Sequence, residues 1–200
     1  MALPAVINRL LHSGAFYDLV QRLAGEKHFR ERLEPYLHTV PVRSRLIDIG
    51  GGTGLSDALS ARRPYVCLDL DLEKLRRFRA RRRGGFAVLA NATACPFRDA
   101  TFDAVLCAKV FHHLDDTELE AMLAETVRLL RPGGKLILAD AVRSHRWVPR
   151  LLWRLDRGSF PRTAAEMKLA LPPQLQPSRW EEFRLAIFHD IIFCAARKAG

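Results

Sequence analysis

Short apolar runs alternate along the chain with longer amphipathic stretches, and this alternation predicts the fold class. Five runs have the length of a buried strand, at residues 45–50, 65–70, 86–91, 102–110 and 135–140. Between them, apolar residues recur at helical spacing, most clearly before an Arg-Pro-Gly-Gly cluster that ends the pattern. Strands that alternate with helices in this way predict a parallel sheet with helices on both faces.

The end of the chain has a different pattern. Residues 183–188 and 191–198 are two apolar runs separated only by His189 and Asp190, which predicts an antiparallel hairpin with a tight turn at those two residues. The hairpin brings the number of strands to seven. We therefore expect an α/β fold, a Rossmann-like, mainly parallel seven-stranded sheet that ends in a C-terminal antiparallel hairpin.

The chain has a length suited to a single α/β domain, and no repeat or low-complexity linker divides it. Residues 1–40 have the spacing of N-terminal helices, and residues 41–140 form the predicted sheet core. Residues 141–180 are rich in Pro, Arg and Trp, and we expect helices without a strand there, covering the carboxyl ends of the strands as a lid. Residues 181–200 form the closing hairpin.

A glycine-rich turn follows the first predicted strand. The segment LIDIGGGTG places Gly50, Gly52 and Gly54 before a helical pattern, where backbone amides can approach a ligand closely. About twenty residues further on, the second strand ends near Asp69, at the position of the acid that binds a ribose diol in nucleotide-binding sheets. The spacing is GxGxG rather than the GxGxxG typical of NAD-binding turns, which disfavours an NAD-dependent oxidoreductase.

Four segments in order carry a resemblance to a known family: LIDIGGGTG, LDLDLEKL, ANATACPFRDATFDAVLCAKVFHHL and LRPGGKLILAD. The sequence resembles the class I S-adenosylmethionine-dependent methyltransferases, and is most similar to the group of ubiquinone- and menaquinone-pathway C-methyltransferases and small-molecule methyltransferases. The resemblance covers roughly residues 45–140 and the terminal hairpin. It implies S-adenosylmethionine as cofactor and S-adenosylhomocysteine as product.

The resemblance also implies roles for individual residues. Asp69 would accept hydrogen bonds from both ribose hydroxyls, and Leu70 would lie against the adenine face. Asn91, where the family usually has Asp, would meet the adenine edge together with Ala92. The residues around the amino-acid end of the cofactor would be Asp48, Gly50, Gly52, Gly54, Lys109 and, from an N-terminal helix, Tyr17.

His112 and His113 are the candidate catalytic residues, because they follow the fourth strand at the mouth where acceptors sit in this fold. One of them would be a general base, which is needed only if the acceptor loses a proton. The alternative is that they pack or begin a helix. The acceptor is expected between the N-terminal helices, the 141–180 segment and these histidines, with Trp147 and Trp153 as apolar contacts.

Charge and cysteine content bear on partners and location. The net charge is +10, and much of the excess lies at residues 74–85, either as a solvated helix surface or as a face for phosphates or lipid headgroups. The four cysteines are scattered, without a CxxC pair or clustered histidines, so we expect neither a metal site nor disulfides. With no transmembrane run and no signal-peptide pattern at the N-terminus, a cytoplasmic location is expected.

The most favoured function is methyl transfer to a small-molecule or lipid-like metabolite. An RNA methyltransferase is a second possibility, prompted by the charge and disfavoured by the lack of an appended RNA-binding domain. A non-catalytic methyltransferase-fold partner protein is a third, disfavoured by the intact glycines and Asp69. Neither the acceptor, nor O-, N- or C-methylation, nor the oligomeric state follows from the sequence.

Overall fold

The computed structural model describes residues 26–54, 64–81, 85–143, 160–185 and 189–199. The helices in this part of the chain are α1 (Glu26–His38), α2 (Leu72–Arg81), α3 (Asp116–Leu129) and α4 (Ala164–Ala170), with a 3-10 turn at Phe111–His113. The strands are β1 (Leu46–Ile49), β2 (Tyr65–Asp69), β3 (Phe86–Leu89), β4 (Phe102–Ala108), β5 (Leu130–Val142), β6 (Leu175–Leu185) and β7 (His189–Lys198). None of the described helices is long and apolar enough to cross a membrane.

All seven strands belong to one sheet, in the order β3-β2-β1-β4-β5-β7-β6. The five strands β1 to β5 are parallel, whereas β7 pairs antiparallel with both β5 and β6. The predicted Rossmann-like sheet with its antiparallel hairpin is therefore confirmed. The strand order reverses at β1, which lies between β2 and β4, and such a switch point opens a crevice at the carboxyl ends of the strands.

Two apolar layers cover the central strands, one on each face of the sheet. One contains Phe111, Met122 and Leu138, and the other contains Tyr36 and Phe193. Because the central strands are buried on both faces, they consist of nearly uninterrupted apolar residues. This is why the sequence pattern located them to within two residues at most boundaries.

The hairpin differs from its prediction. His189 and Asp190 do not form the turn; both lie in β7, where Asp190 pairs with Arg184 of β6. Residues 186–188, between β6 and β7, lie outside the described residues. Strand β6 begins at Leu175, so the end of the 141–180 segment, expected to contain no strand, contributes to the sheet. The apolar pattern missed this part because β6 is an edge strand whose residues 176–179 are exposed and polar or Pro.

Candidate cofactor and acceptor site

The glycine turn after β1 is built on left-handed backbone. Gly50, Gly52 and Gly54 have φ of 70°, 56° and 77°, a region that side chains disfavour. A Cβ on Gly50 would lie 2.3 Å from Cγ2 of Val110, so glycine is also required there for packing. A Cβ on Gly52 would meet nothing nearer than 3.6 Å, which leaves the backbone of Gly52 open to a ligand.

Asp69 connects the end of β2 to this turn. Its Oδ2 accepts a hydrogen bond from the Gly52 amide at 2.9 Å, and its Oδ1 accepts one from the Asp71 amide at 2.8 Å. The carboxylate is nearly buried, yet each oxygen can accept a further hydrogen bond. The structure thus brings together the glycine turn and Asp69, although Gly52 and Asp69 are seventeen residues apart in sequence.

Asp48 lies beneath the turn and is buried in β1. Its Oδ2 accepts a hydrogen bond from the Tyr65 hydroxyl at 2.5 Å, and its Cγ is 3.0 Å from the place a Cβ on Gly51 would take. Burial raises the pKa of Asp48 to about 7, with a smaller contribution from the charge of Asp69, while the Tyr65 hydrogen bond lowers it. Asp48 is positioned to support the turn from below; the pairing with Tyr65 was not predicted.

Of the residues expected to meet the adenine, Leu70 is 67% exposed directly after β2. Asn91 is exposed, and its Oδ1 accepts a hydrogen bond from the Thr93 amide at 3.0 Å, while Ala92 packs against the apolar core. Arg128 of α3 holds the loop that follows β3 by donating to carbonyl oxygens at 2.7 and 3.0 Å, those of Phe97 and Cys95. This anchor was not predicted, because it joins residues about thirty positions apart.

Asp140 binds the backbone of the 3-10 turn at Phe111–His113 that follows β4, here called the histidine turn. It is fully buried at the end of β5, where its Oδ2 accepts hydrogen bonds from the amides of Val110 at 2.9 Å and Phe111 at 2.6 Å. Its Oδ1 contacts Nδ1 of His112 and accepts a hydrogen bond from the Ala141 amide. No role was predicted for Asp140 from the sequence, although an acid near the end of a buried apolar strand indicates one.

The two candidate catalytic histidines differ in environment. His112 is largely buried against Asp140, whereas His113 is exposed and its ring centroid lies 4.0 Å from that of His112. Lys109, the residue expected beside the methionine portion, has φ of 61°, and its Nζ lies 4.5 Å from the centre of the Phe29 ring in α1. The left-handed backbone at Lys109 is a strained feature at the mouth of the sheet.

The described end of the 141–180 segment is docked on the histidine turn. The Phe160 amide donates to the His112 carbonyl at 2.6 Å. Arg162 donates to carbonyl oxygens of Phe111 and Leu114 and pairs with Asp116. The predicted contacts that lie outside the described residues are Tyr17, Trp147 and Trp153.

Within the described part of the chain, no group of three or more His, Cys, Asp or Glu side chains could hold a metal ion. All four cysteines are buried thiols. Burial raises the pKa of Cys95 to about 12, and that of Cys194 similarly, so neither is a reactive thiolate near neutral pH.

Comparison with known proteins identifies the class of domain. Residues 47–138 match the family described as "Methyltransferase domain". A demethylmenaquinone methyltransferase of Renibacterium salmoninarum is 36% identical over 98 residues, which are 48% of this chain and 40% of that protein. A malonyl-[acyl-carrier protein] O-methyltransferase of Methylococcus capsulatus is 29% identical over 155 residues, or 74% of this chain and 56% of that protein. The chain spans about half the length of these relatives.

Solved structures of methyltransferases have the same fold as this chain. A SAM-dependent methyltransferase of Methanosarcina mazei has a TM-score of 0.69 at 19% identity, over 82% of this chain and 97% of that one. A geranyl diphosphate C-methyltransferase of Streptomyces coelicolor A3(2), solved with Mg²⁺, geranyl diphosphate and S-adenosylhomocysteine, has a TM-score of 0.72 at 16% identity, over 94% and 87%. The resemblance to S-adenosylmethionine-dependent methyltransferases that the motifs predict is therefore confirmed for residues 47–138.

Proposed function

We propose that this chain transfers a methyl group from S-adenosylmethionine to a small-molecule or lipid-like acceptor. The observation that carries the proposal is the hydrogen bond between the Gly52 amide and the Asp69 carboxylate at the switch point of the sheet. It places a carboxylate next to backbone that no side chain covers. The names of the relatives support a small acceptor, since they refer to demethylmenaquinone and malonyl-[acyl-carrier protein].

The described residues fit this cofactor. Asp69 would accept hydrogen bonds from the two ribose hydroxyls with lone pairs that its present bonds leave available. Leu70 and Ala92 offer apolar contact to the adenine, and Asn91 a polar edge. Gly50, Gly52 and Gly54, supported by Asp48, would let the backbone of the turn approach the amino-acid end closely. Lys109 and Tyr17 belong to the same proposed site. When bound, the cofactor supplies an activated methyl group, so the protein's task is alignment.

We assign the base, where the acceptor must lose a proton, to His112 rather than His113. The Asp140 carboxylate has only acceptor capacity when ionised, so its contact with Nδ1 of His112 places the imidazole proton on that nitrogen. The other nitrogen, Nε2, then carries the lone pair that can take a proton. Asp140 acts through His112 and is a positioning residue. His113 would contribute to the acceptor pocket.

The acceptor would bind between the histidine turn, the 141–180 segment and the N-terminal helices. The docking of Phe160 on His112 supports this placement, because it brings the end of that segment to the candidate base. The buried thiols accord with a reducing compartment, and we propose the cytoplasm. The residue ranges 1–40, 41–140, 141–180 and 181–200 remain our proposed division of a single domain.

The proposal is tested by following a labelled methyl group. The protein is incubated with methyl-tritiated S-adenosylmethionine and, separately, with a lipid extract, a polar metabolite extract and total RNA. We expect label in the lipid or metabolite fraction, and none with Asp69→Ala. Label in RNA alone would favour an RNA methyltransferase. Cofactor binding without transfer to any fraction would favour a non-catalytic partner protein.

A further inference from the structure

Helix α2 presents a dense group of cations to solvent, most of which lie outside the proposed cofactor site. Its exposed cations are Lys74, Arg76, Arg77, Arg79 and Arg81. The single acid of the helix, Glu73, pairs with Arg76. No carboxylate of the described chain pairs with Arg77, Arg79 or Arg81, so the helix surface has an excess of positive charge beyond what its own acid offsets.

Exposed apolar side chains lie at the start of α2 and on the edge strand β3 that α2 contacts. Among the described strands, β3 pairs with β2 alone and lies at the outer edge of the sheet. At its two ends, Phe86 is 69% exposed and Leu89 is 55% exposed, and Leu72 at the start of α2 is 45% exposed. Phe86 and Leu89 are three residues apart on β3, so they project to opposite faces of the sheet at its edge, where apolar residues of this size are seldom left so exposed.

Helical geometry places part of the charge beside those apolar residues. The Cδ atom of Lys74 lies 3.6 Å from the position that a Cβ on Gly52 would take. Because Gly52 is in the turn that follows β1, this flank of α2 faces β1. Leu72, Arg76 and Arg79 follow the i, i+4, i+7 spacing of a single flank, on the side opposite Lys74. That flank therefore faces the outer edge, where β3 lies.

We infer that Leu72, Arg76, Arg79, Phe86 and Leu89, here termed the basic edge surface, dock the protein on an anionic lipid bilayer. Guanidinium groups pair with lipid phosphates, while leucine and phenylalanine side chains enter the boundary between headgroups and acyl chains. A lipid surface fits better than RNA because two of the three exposed apolar residues are aliphatic, and a nucleic acid offers aliphatic side chains no comparable apolar phase. Strand β3 lies two strands from β1, while Leu89 pairs in register with Asp69, so the surface borders the proposed cofactor site on its outer side.

The test is co-sedimentation of the full chain with vesicles of phosphatidylcholine alone, or with about one third phosphatidylglycerol. We expect partitioning only onto the anionic vesicles. Arg76→Gln/Arg79→Gln should lower the partition coefficient roughly thirtyfold, at about fivefold per arginine near an anionic leaflet. Phe86→Ser/Leu89→Ser should lower it by roughly tenfold or more, because the apolar insertion is lost.

The matched control is Arg43→Gln/Arg184→Gln, which removes the same charge from exposed positions before β1 and on β6, at the opposite edge of the sheet. We expect this control to change the partition coefficient less than twofold. Thermal unfolding midpoints show that every variant is folded. Equal losses in both arginine pairs would overturn the proposal in favour of net charge alone. Wild-type protein that binds RNA and ignores anionic vesicles, or that binds both vesicle types equally, would also overturn it.

Discussion

The Asp69 carboxylate accepts a hydrogen bond from the backbone amide of Gly52, with 2.9 Å between Oδ2 and the nitrogen. This bond fixes the end of β2 against the turn that follows β1. The two halves of the proposed cofactor site are thus held in place by the protein itself. A site arranged in advance loses less conformational entropy when its ligand binds.

Asp69→Ala should weaken binding of S-adenosylhomocysteine by about 2–4 kcal/mol, because two charge-assisted hydrogen bonds to the ribose are lost. Titration calorimetry measures this directly. Glu120→Ala removes an exposed carboxylate on α3 and serves as the control. An unchanged dissociation constant in Asp69→Ala would show that the ribose binds elsewhere.

Gly50→Ala should destabilise the fold itself. The added Cβ would lie 2.3 Å from Cγ2 of Val110, and the φ of 70° adds about 1–2 kcal/mol of backbone strain. Urea denaturation should show a large loss of stability, and adding Val110→Ala should recover part of it by removing the clashing methyl group. A double variant no more stable than Gly50→Ala would argue against this contact.

The strands that were predicted well are those that are buried on both faces, because such strands are recognisable as apolar runs. Tyr65–Asp69 and Phe102–Ala108 are buried on both faces and so form apolar runs. The start of β6 was missed because an edge strand needs no such run. Among the site residues, the glycines and Asp69 follow from local motifs. The partnership of His112 with Asp140 does not, because it joins positions 28 residues apart through the pairing of β4 with β5.

The pH dependence of stability should report on Asp48. Its pKa is about 7 in the folded protein, against 3.8 for an ordinary aspartate, because burial disfavours the charged form. A raised pKa stabilises the fold while the group is protonated, so this contribution is complete below about pH 4 and is lost as the pH rises toward 7. Relative to Asp48→Asn, the free energy of unfolding should fall by up to about 4 kcal/mol over that interval. A difference that stays constant with pH would contradict the assignment.

Asp140→Asn should change the tautomer of His112. In the wild type, nitrogen NMR of the imidazole at about pH 9, where histidines are neutral, should show the proton on Nδ1. The asparagine amide can either donate or accept, so the preference for that tautomer should weaken or reverse. His112→Gln identifies the resonance. A wild-type imidazole protonated on Nε2 would exclude the positioning role of Asp140.

The central claim is that the glycine turn and Asp69 bind S-adenosylmethionine and not a dinucleotide. Titration calorimetry of the wild-type chain with S-adenosylhomocysteine, S-adenosylmethionine and NAD tests it most directly. The account predicts saturable heat with both sulfur compounds, at one site per chain, and none with NAD. Saturable binding of NAD, with no heat from either sulfur compound, would contradict it.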